Sequence, residues 1–271
     1  YSDVERVALP ADFPGKLASM ADILTRISSP QRESGSLSSE QLSTILHFTH
    51  GALSRRLRVT WNHDAKSLAV YSASSFAYAR GTPSGGGMYP TEIYWASGSS
   101  GTLLPGLYHY DNAHHALARL FTGDVTRRIR AALFEHPLAM KTDQFLLISL
   151  NFWKNAFKYN SFCYHVITQD LGALLCSLRL MAAGFHSNLT PLLWYQDEEF
   201  NQLLGLEKAY ENVFAVIPVP IAANVESPHA FPGTIQEPAR LQHALVNKAS
   251  FQRSKRVIRF ETNEKVHTAT L

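Results

Sequence analysis

Apolar and polar positions alternate with clear periods along this chain, and the periods predict its elements. Helical spacing runs over 17–27, and a second helix begins at Ser38. Ser38 and Gln41 stand at capping-box spacing, Leu42, Ile45 and Leu46 follow on one face, and Gly51 marks the stop. The stretch 52–70 reads as basic and irregular, with a short strand near 68–71. Strands are predicted over 92–96, 107–110 and 116–121, with Asp111-Asn112 turning the chain between the last two. Asp124 caps a short helix to about 134, and the unbroken apolar run 145–150 reads as a buried strand. The clearest helical period covers 164–185, through Ile167, Leu171, Leu174, Leu175, Leu178, Met181, Ala182 and Phe185. Only Asp170 and Arg179 are charged there, so the helix is expected to be buried on most sides, within a domain or between subunits. Gly172 is a poor helix former, which suggests that something packs closely against it. Asp197 caps a further helix to 204, and 213–219 reads as a strand. From 222 the chain turns rich in Pro, His, Lys and Arg, with one helix near 238–248.

Composition narrows the classes. Of the 271 residues, 45% are apolar, enough for one large core or two small ones. Charged residues are 17%, below the usual figure of about 25%, which hints at an extensive subunit interface. A net charge of +3 is too mild to argue for nucleic acid, and the clusters Arg55, Arg56, Arg58 and Arg127, Arg128, Arg130 read as solvated faces. Two cysteines, Cys163 and Cys176, imply neither a disulfide framework nor a zinc site and fit a reducing, cytoplasmic setting. There is no run of about 18 apolar residues, so no membrane partner is expected. The first residue is Tyr1, and a lost targeting segment stays open.

Two stretches carry chemistry. Pro83-Ser84-Gly85-Gly86-Gly87 precedes an aromatic strand, in a chain with 15 glycines overall. Glycines there make either a plain turn or a bare backbone that a flat or anionic ligand approaches. The spacing is neither a Walker A loop nor a Rossmann fingerprint. Lys158-Tyr159 falls between the buried strand and the buried helix, where an amine and a phenol form either a proton-transfer pair or a surface Lys beside a core Tyr. His47 and His50 stand one helical turn apart, and His114-His115 sit in a turn. No third ligand is spaced for a metal, and no nucleophile triad is evident.

In combination these pieces resemble one family. Residues 83–94, PSGGGMYPTEIY, are similar to the "PSGGALYPxExY" segment of SagB-type dehydrogenases, flavin enzymes of the nitroreductase superfamily. Gly106-Leu107-Tyr108-His109-Tyr110-Asp111 resembles that family's "GLYHYD" hairpin, Lys158-Tyr159 its catalytic Lys-Tyr pair, and Leu203-Leu204-Gly205-Leu206 its late "LLGL" element. Tyr164 and Asp170-Leu171-Gly172 match the pattern leading into its central helix, and the likeness runs over about 38–219.

The resemblance implies an α+β nitroreductase-like fold, a central mostly antiparallel sheet flanked by helices, with a long buried helix at a homodimer core. It implies FMN, with Lys158 and Tyr159 catalytic and with Pro83, Ser84, Gly85, Gly86 and Gly87 along the flavin. Arg32 and Ser34 would contact the cofactor's phosphate, although Arg32-Glu33-Ser34-Gly35-Ser36 keeps only part of the family's "RxSxR". Phe162 and His165 stand where the family's "KYxxRxYR" has Arg, and Pro218 stands where Gly is common. The implied activity is oxidation of thiazoline or oxazoline rings in a ribosomally made peptide, with other subunits of a peptide-modifying synthetase as further partners. Trp95, Phe157 and Trp194 are candidates either to line the pocket or to pack in the core. A flavin oxidase or reductase acting on another peptide or carrier-bound intermediate, such as a dehydroamino acid, stays open, as does a non-catalytic subunit. The implied organisation is an FMN-binding domain over 1–221, and the composition of 222–271 is that of an extension that wraps a partner subunit or packs loosely.

Overall fold

The computed structural model describes residues 4–15, 17–28, 35–57, 76–221, 246 and 259–270. In chain order the elements are β1 (Arg6–Ala8), α1 (Met20–Ser28), α2 (Ser39–His50), β2 (Ala52–Leu57), β3 (Phe76–Arg80), a one-turn 3-10 bend at Gly85–Gly87, β4 (Thr91–Ser97), β5 (Gly106–Asp111) and β6 (Ala116–Thr122). There follow α3 (Thr126–Ala132), α4 (Pro137–Met140), β7 (Gln144–Asn151), α5 (Trp153–Tyr159), a 3-10 turn at Asn160–Phe162, α6 (Cys163–Gly184), α7 (Asp197–Leu204), β8 (Glu211–Pro218) and α8 (Glu261–Thr268). Six strands form one sheet in the order β1-β6-β5-β4-β7-β8, and every neighbouring pair is antiparallel. Strands β2 and β3 pair separately. The arrangement is the expected α+β class.

The strand period explains the layers. On β4, Ile93 and Trp95 face one side with α2 and α6, while Tyr94 and Ala96 face the other with α3 and α7. On β7, Leu146, Ile148 and Leu150 join the first core and Phe145 and Leu147 the second. Helices cover both faces, so the central strand reads as an unbroken apolar run. Trp95, a candidate for the pocket or the core, is a core residue, 2% exposed, and its indole N–H donates to Gln144 Oε1 at 2.9 Å.

Local signals hold where their chemistry is self-contained. The Gln41 N–H donates to Ser38 Oγ at 3.2 Å and the Ser38 N–H donates to Gln41 Oε1 at 2.9 Å, which closes the capping box of α2. Asp124 Oδ1 accepts from the Thr126 N–H at 2.8 Å at the start of α3. Asp197 opens α7 as its first residue, without a side-chain cap.

Helix α6 buries Val166, Ile167, Asp170, Leu171, Leu174, Leu178 and Ala182 and leaves His165, Gln169, Gly172, Cys176 and Arg179 exposed. Within the described residues it is therefore buried on one side, not on most. A Cβ at Gly172 would meet nothing within 4 Å among the described residues, so close packing by those residues is not why glycine stands there. By length and composition Lys154–Gly184 is apolar enough to cross a membrane. Here one face of that stretch lies on the sheet.

The tail is described only at 246 and 259–270, so the helix expected near 238–248 falls almost wholly outside the described residues, as does the strand near 68–71. Val246 is buried in the second core. Helix α8 packs on its own chain: the Tyr164 hydroxyl lies 3.0 Å from Thr270 Oγ1, and Asn263 Nδ2 donates to the Asn160 carbonyl at 3.0 Å.

Replacing Ser38 with Ala removes one half of the capping box and leaves the Gln41 N–H without its acceptor. We expect a loss of about 1 kcal/mol in unfolding free energy, read by urea denaturation, with Ser38→Asp restoring most of it.

Candidate active site

Sheet register brings the two chemistry-bearing stretches together. Thr91 at the start of β4 pairs with Leu150 at the end of β7, and the Asn151 N–H donates to the Pro90 carbonyl at 2.8 Å. Residues before β4 and residues after β7 must therefore leave the sheet at the same end of the strands. The glycine bend is the first of these and α5 the second.

They meet closely. A Cβ at Gly86 would stand 2.6 Å from Lys158 Nζ and 2.8 Å from the Tyr159 hydroxyl. A Cβ at Gly85 would collide with Val166 Cγ1 of α6. Gly86 and Gly87 have φ of +66° and +68°, where glycine is favoured. A Cβ at Gly87 would meet nothing within 4 Å. The three glycines thus have three reasons. Gly85 admits α6, Gly86 admits the Lys–Tyr couple, and Gly87 turns the chain beside open space. The steric demand at Gly85 and Gly86 comes from this chain's own side chains.

Asp170 fixes the bend. Its carboxylate, 7% exposed, accepts from Ser84 Oγ at 2.6 Å and from the Gly85 N–H at 2.7 Å. Ser84 Oγ in turn accepts from the Tyr89 N–H at 2.9 Å, so the hydroxyl is engaged inside the loop. Asn155 Nδ2 reaches the Gly85 carbonyl at 3.4 Å, while its buried Oδ1 has no partner among the described residues. Lys158 is exposed, Tyr159 half-buried, and the amine lies 5.6 Å from the phenol ring centroid. Phe157 and Phe162, 57% and 59% exposed, flank the couple in sequence. Trp194 is 80% exposed, Pro83 is exposed, and Arg32 and Ser34 lie outside the described residues.

A buried polar cluster supports the loop's far end. Lys154 pairs with Glu92 and donates to the Tyr89 carbonyl at 3.3 Å, and His109 Nε2 lies 3.1 Å from Glu92 Oε2. Burial pushes the Glu92 carboxyl up, but Lys154 and His109 outweigh it and hold it well below the usual carboxylate range. The Arg80 guanidinium lies 4.6 Å from the Tyr89 ring centroid and donates to His50 Nε2 at 2.8 Å. Burial, and then Arg80, hold His50 well below its ordinary 6.5, so it is a neutral acceptor. The other histidines that the sequence singles out are also engaged. His47 stacks on Phe13, His114 pairs with Asp111, and His115 lies between Ser43 Oγ and the Tyr110 hydroxyl, each at 2.8 Å.

Sequence reasoning found the glycines and the couple but gave no role to Asp170 and passed over Asn155. The spacing of Asn155, Lys158 and Tyr159, i, i+3 and i+4, would have grouped them had 153–159 been read as a helix.

No protein-family model matches the chain, and no curated protein matches it. Solved structures do. A protein from Anabaena variabilis described as a nitroreductase is 26% identical over 80% of this chain, with a TM-score of 0.59; this chain spans 39% of that protein. A second, from Ralstonia eutropha and also described as a nitroreductase, is 18% identical, with 81% of this chain and 90% of that one covered and a TM-score of 0.56. The microcin synthetase McbBCD complex from E. coli, with truncated pro-MccB17 bound, is 19% identical, with 80% and 77% covered and a TM-score of 0.48. The fold is nitroreductase-like.

Two measurements check this geometry. Gly86→Ala forces φ > 0 on an L residue and drives a methyl into the couple. It should cost about 1–3 kcal/mol of stability or displace the couple, read by thermal unfolding and by the Tyr159 ring resonances. Neutral buried His50 means that unfolded chains bind a proton the native state does not. Its stabilising share is complete above pH 6.5 and lost as pH falls below that value. Urea unfolding at pH 7.5 and 5.5 should show the drop, and His50→Gln should make it smaller.

Proposed function

We propose that this chain is an FMN-dependent oxidoreductase that oxidises azoline rings to azoles in a ribosomally made peptide. The observation that carries the reading is the meeting of the bare Gly86–Gly87 backbone with Lys158 and Tyr159, which lie far apart in sequence. The residues present fit the cofactor. Gly87 offers main chain with nothing among the described residues within 4 Å of where a Cβ would stand, and the preceding Gly86 faces the Lys158 amine. The motif likeness over 83–94 and at Lys158-Tyr159, together with the nitroreductase-like fold, supports FMN as the bound group.

Bound FMN would supply a two-electron acceptor. The chain's own residues supply the rest. Asp170, through Ser84 and Gly85, holds the bend in one shape, so the platform costs no ordering when ligand arrives. Tyr159 or Lys158 takes the proton from the ring carbon α to the peptide carbonyl. Exposed Phe157 and Phe162 would give an apolar ring something to lie against while backbone polar groups stay in water. The exposed side of α6, with small residues Gly172 and Cys176, is where a second copy would pack to complete the site.

Purified protein, or protein reconstituted with FMN, should be yellow, with a visible spectrum of bound flavin. Lys158→Ala combined with Tyr159→Phe should keep the flavin and lower turnover of an azoline peptide by at least a hundredfold. Colourless protein that takes up no FMN overturns the reading, and an active double variant removes the proposed base.

A further inference from the structure

A cavity of about 370 Å³ lies where α5, the 208–209 turn and the C-terminal segment meet, lined by Phe152, Ala156, Lys208, Phe260, Asn263 and His267 among others. That volume is at the lower end of the range for small-ligand sites. Ala156 lines it from α5 and Phe152 from just before that helix, whereas Asn155 and the couple on α5 turn to the glycine bend.

Its polar groups divide into two kinds. The charged ones are already matched: Lys208 pairs with Glu198, and Arg259 Nε lies 2.7 Å from Glu264 Oε1. The neutral ones are not. His267 is 7% exposed, and among the described residues both its buried ring nitrogens lack a partner, as does the buried Asn263 Oδ1. Buried polar atoms seldom go unpaired, because each has lost its water and gained nothing in return. Phe152, Tyr164 and Phe214 surround the imidazole at centroid distances of 4.9, 6.1 and 5.7 Å, and the Tyr164 hydroxyl is turned to Thr270 instead. Burial, and secondarily Lys208, push His267 down to about 4, so near pH 7 it offers one donor and one acceptor.

A ligand suited to this cavity is uncharged, because no charge is left to pair. It is apolar over most of its surface, to cover Phe152, Phe260 and Ala156. It also carries a donor and an acceptor close together, and an amide has that pair. We propose that this cavity binds a neutral peptide segment, with one apolar side chain between Phe152 and Phe260 and an adjoining amide paired with Asn263 and His267. The choice of a peptide over another amide rests on the function proposed above. The segment would then be anchored on the helix that carries Lys158 and Tyr159.

The test uses the full chain and N-acetyl-L-phenylalanine methylamide, titrated by calorimetry and followed on the His267 ring nitrogens by NMR. We expect saturable binding with a shift of those nitrogens. His267→Phe, which keeps an aromatic ring in the cage, should weaken binding at least tenfold, and Ala156→Trp, which fills the space, should abolish it. Both variants are checked for a native unfolding transition, and Asn263→Leu serves as a second probe should His267→Phe fail to fold. Absence of saturable binding to folded wild type overturns the proposal. So does unchanged affinity in His267→Phe or, should that variant fail to fold, in Asn263→Leu, and so does equal affinity for toluene, which lacks the amide. No flavin enters the assay, so the two readings fail separately. Colourless protein that still binds the amide through His267 sinks the enzyme and keeps the cavity. A yellow, active protein that ignores the amide does the reverse.

Discussion

One buried carboxylate holds the arrangement together. Asp170 sits on a helix whose neighbouring residues Ile167, Leu171 and Leu174 are locked into the first core. Its oxygens receive Ser84 Oγ and the Gly85 N–H, so the position of the core is passed to a glycine loop that would otherwise be free to bend. Three glycines in a row lose more conformational entropy on ordering than any other tripeptide. Charge-assisted hydrogen bonds from a fixed carboxylate are strong enough to offset that loss, at roughly twice the strength of neutral ones. Without this anchor, open space beside Gly87 would be a feature of one conformer among many. With it, the bend, the couple and helix α6 form a single rigid corner.

Antiparallel register does the remaining work. Strands β4 and β7 are neighbours, and their pairing puts the entry of one beside the exit of the other. Any loop before β4 and any helix after β7 must share one end of the strands, whatever their sequences. The second polar cluster, Glu92 with Lys154 and His109, reinforces that end from the strand side, because Lys154 belongs to α5 and Glu92 to β4. Geometry that looks specific to the site is therefore half a property of the sheet.

This division explains what could be read from the chain beforehand. Strands β4 to β8 and helices α2, α6 and α7 carry their own periodic or capping signals, and their boundaries are legible to within a few residues. Strand β1 has three residues, too few for a period. The β2–β3 pair joins segments 18 residues apart, too far for a tight-turn signal to announce it. Helix α5 has seven residues, too short for amphipathic periodicity, and its stop at Asn160 uses φ +51° in place of the usual glycine. The reason for the glycines was only partly legible. That bare backbone was needed could be inferred, but the groups that crowd Gly85 and Gly86 are Val166, Lys158 and Tyr159, and only tertiary structure brings them there. Gly172 lies on the exposed face of α6, and no described residue of the same chain packs against it.

The shortness of α5 has a consequence for the couple. A seven-residue helix is not stable alone, so Lys158 and Tyr159 are placed by what grips α5 from outside. Asn155 meets the Gly85 carbonyl on one side, and the Phe152 N–H donates to the Tyr210 carbonyl at 3.0 Å at its start. At its end, Asn263 of α8 holds the Asn160 carbonyl immediately after Tyr159. Two of these three grips, at Phe152 and Asn263, also border the α8 cavity. An occupant of that cavity would therefore touch the same short helix that carries the candidate base. The polar corner at the glycine bend and the apolar hollow under α8 are two ends of one mechanical element.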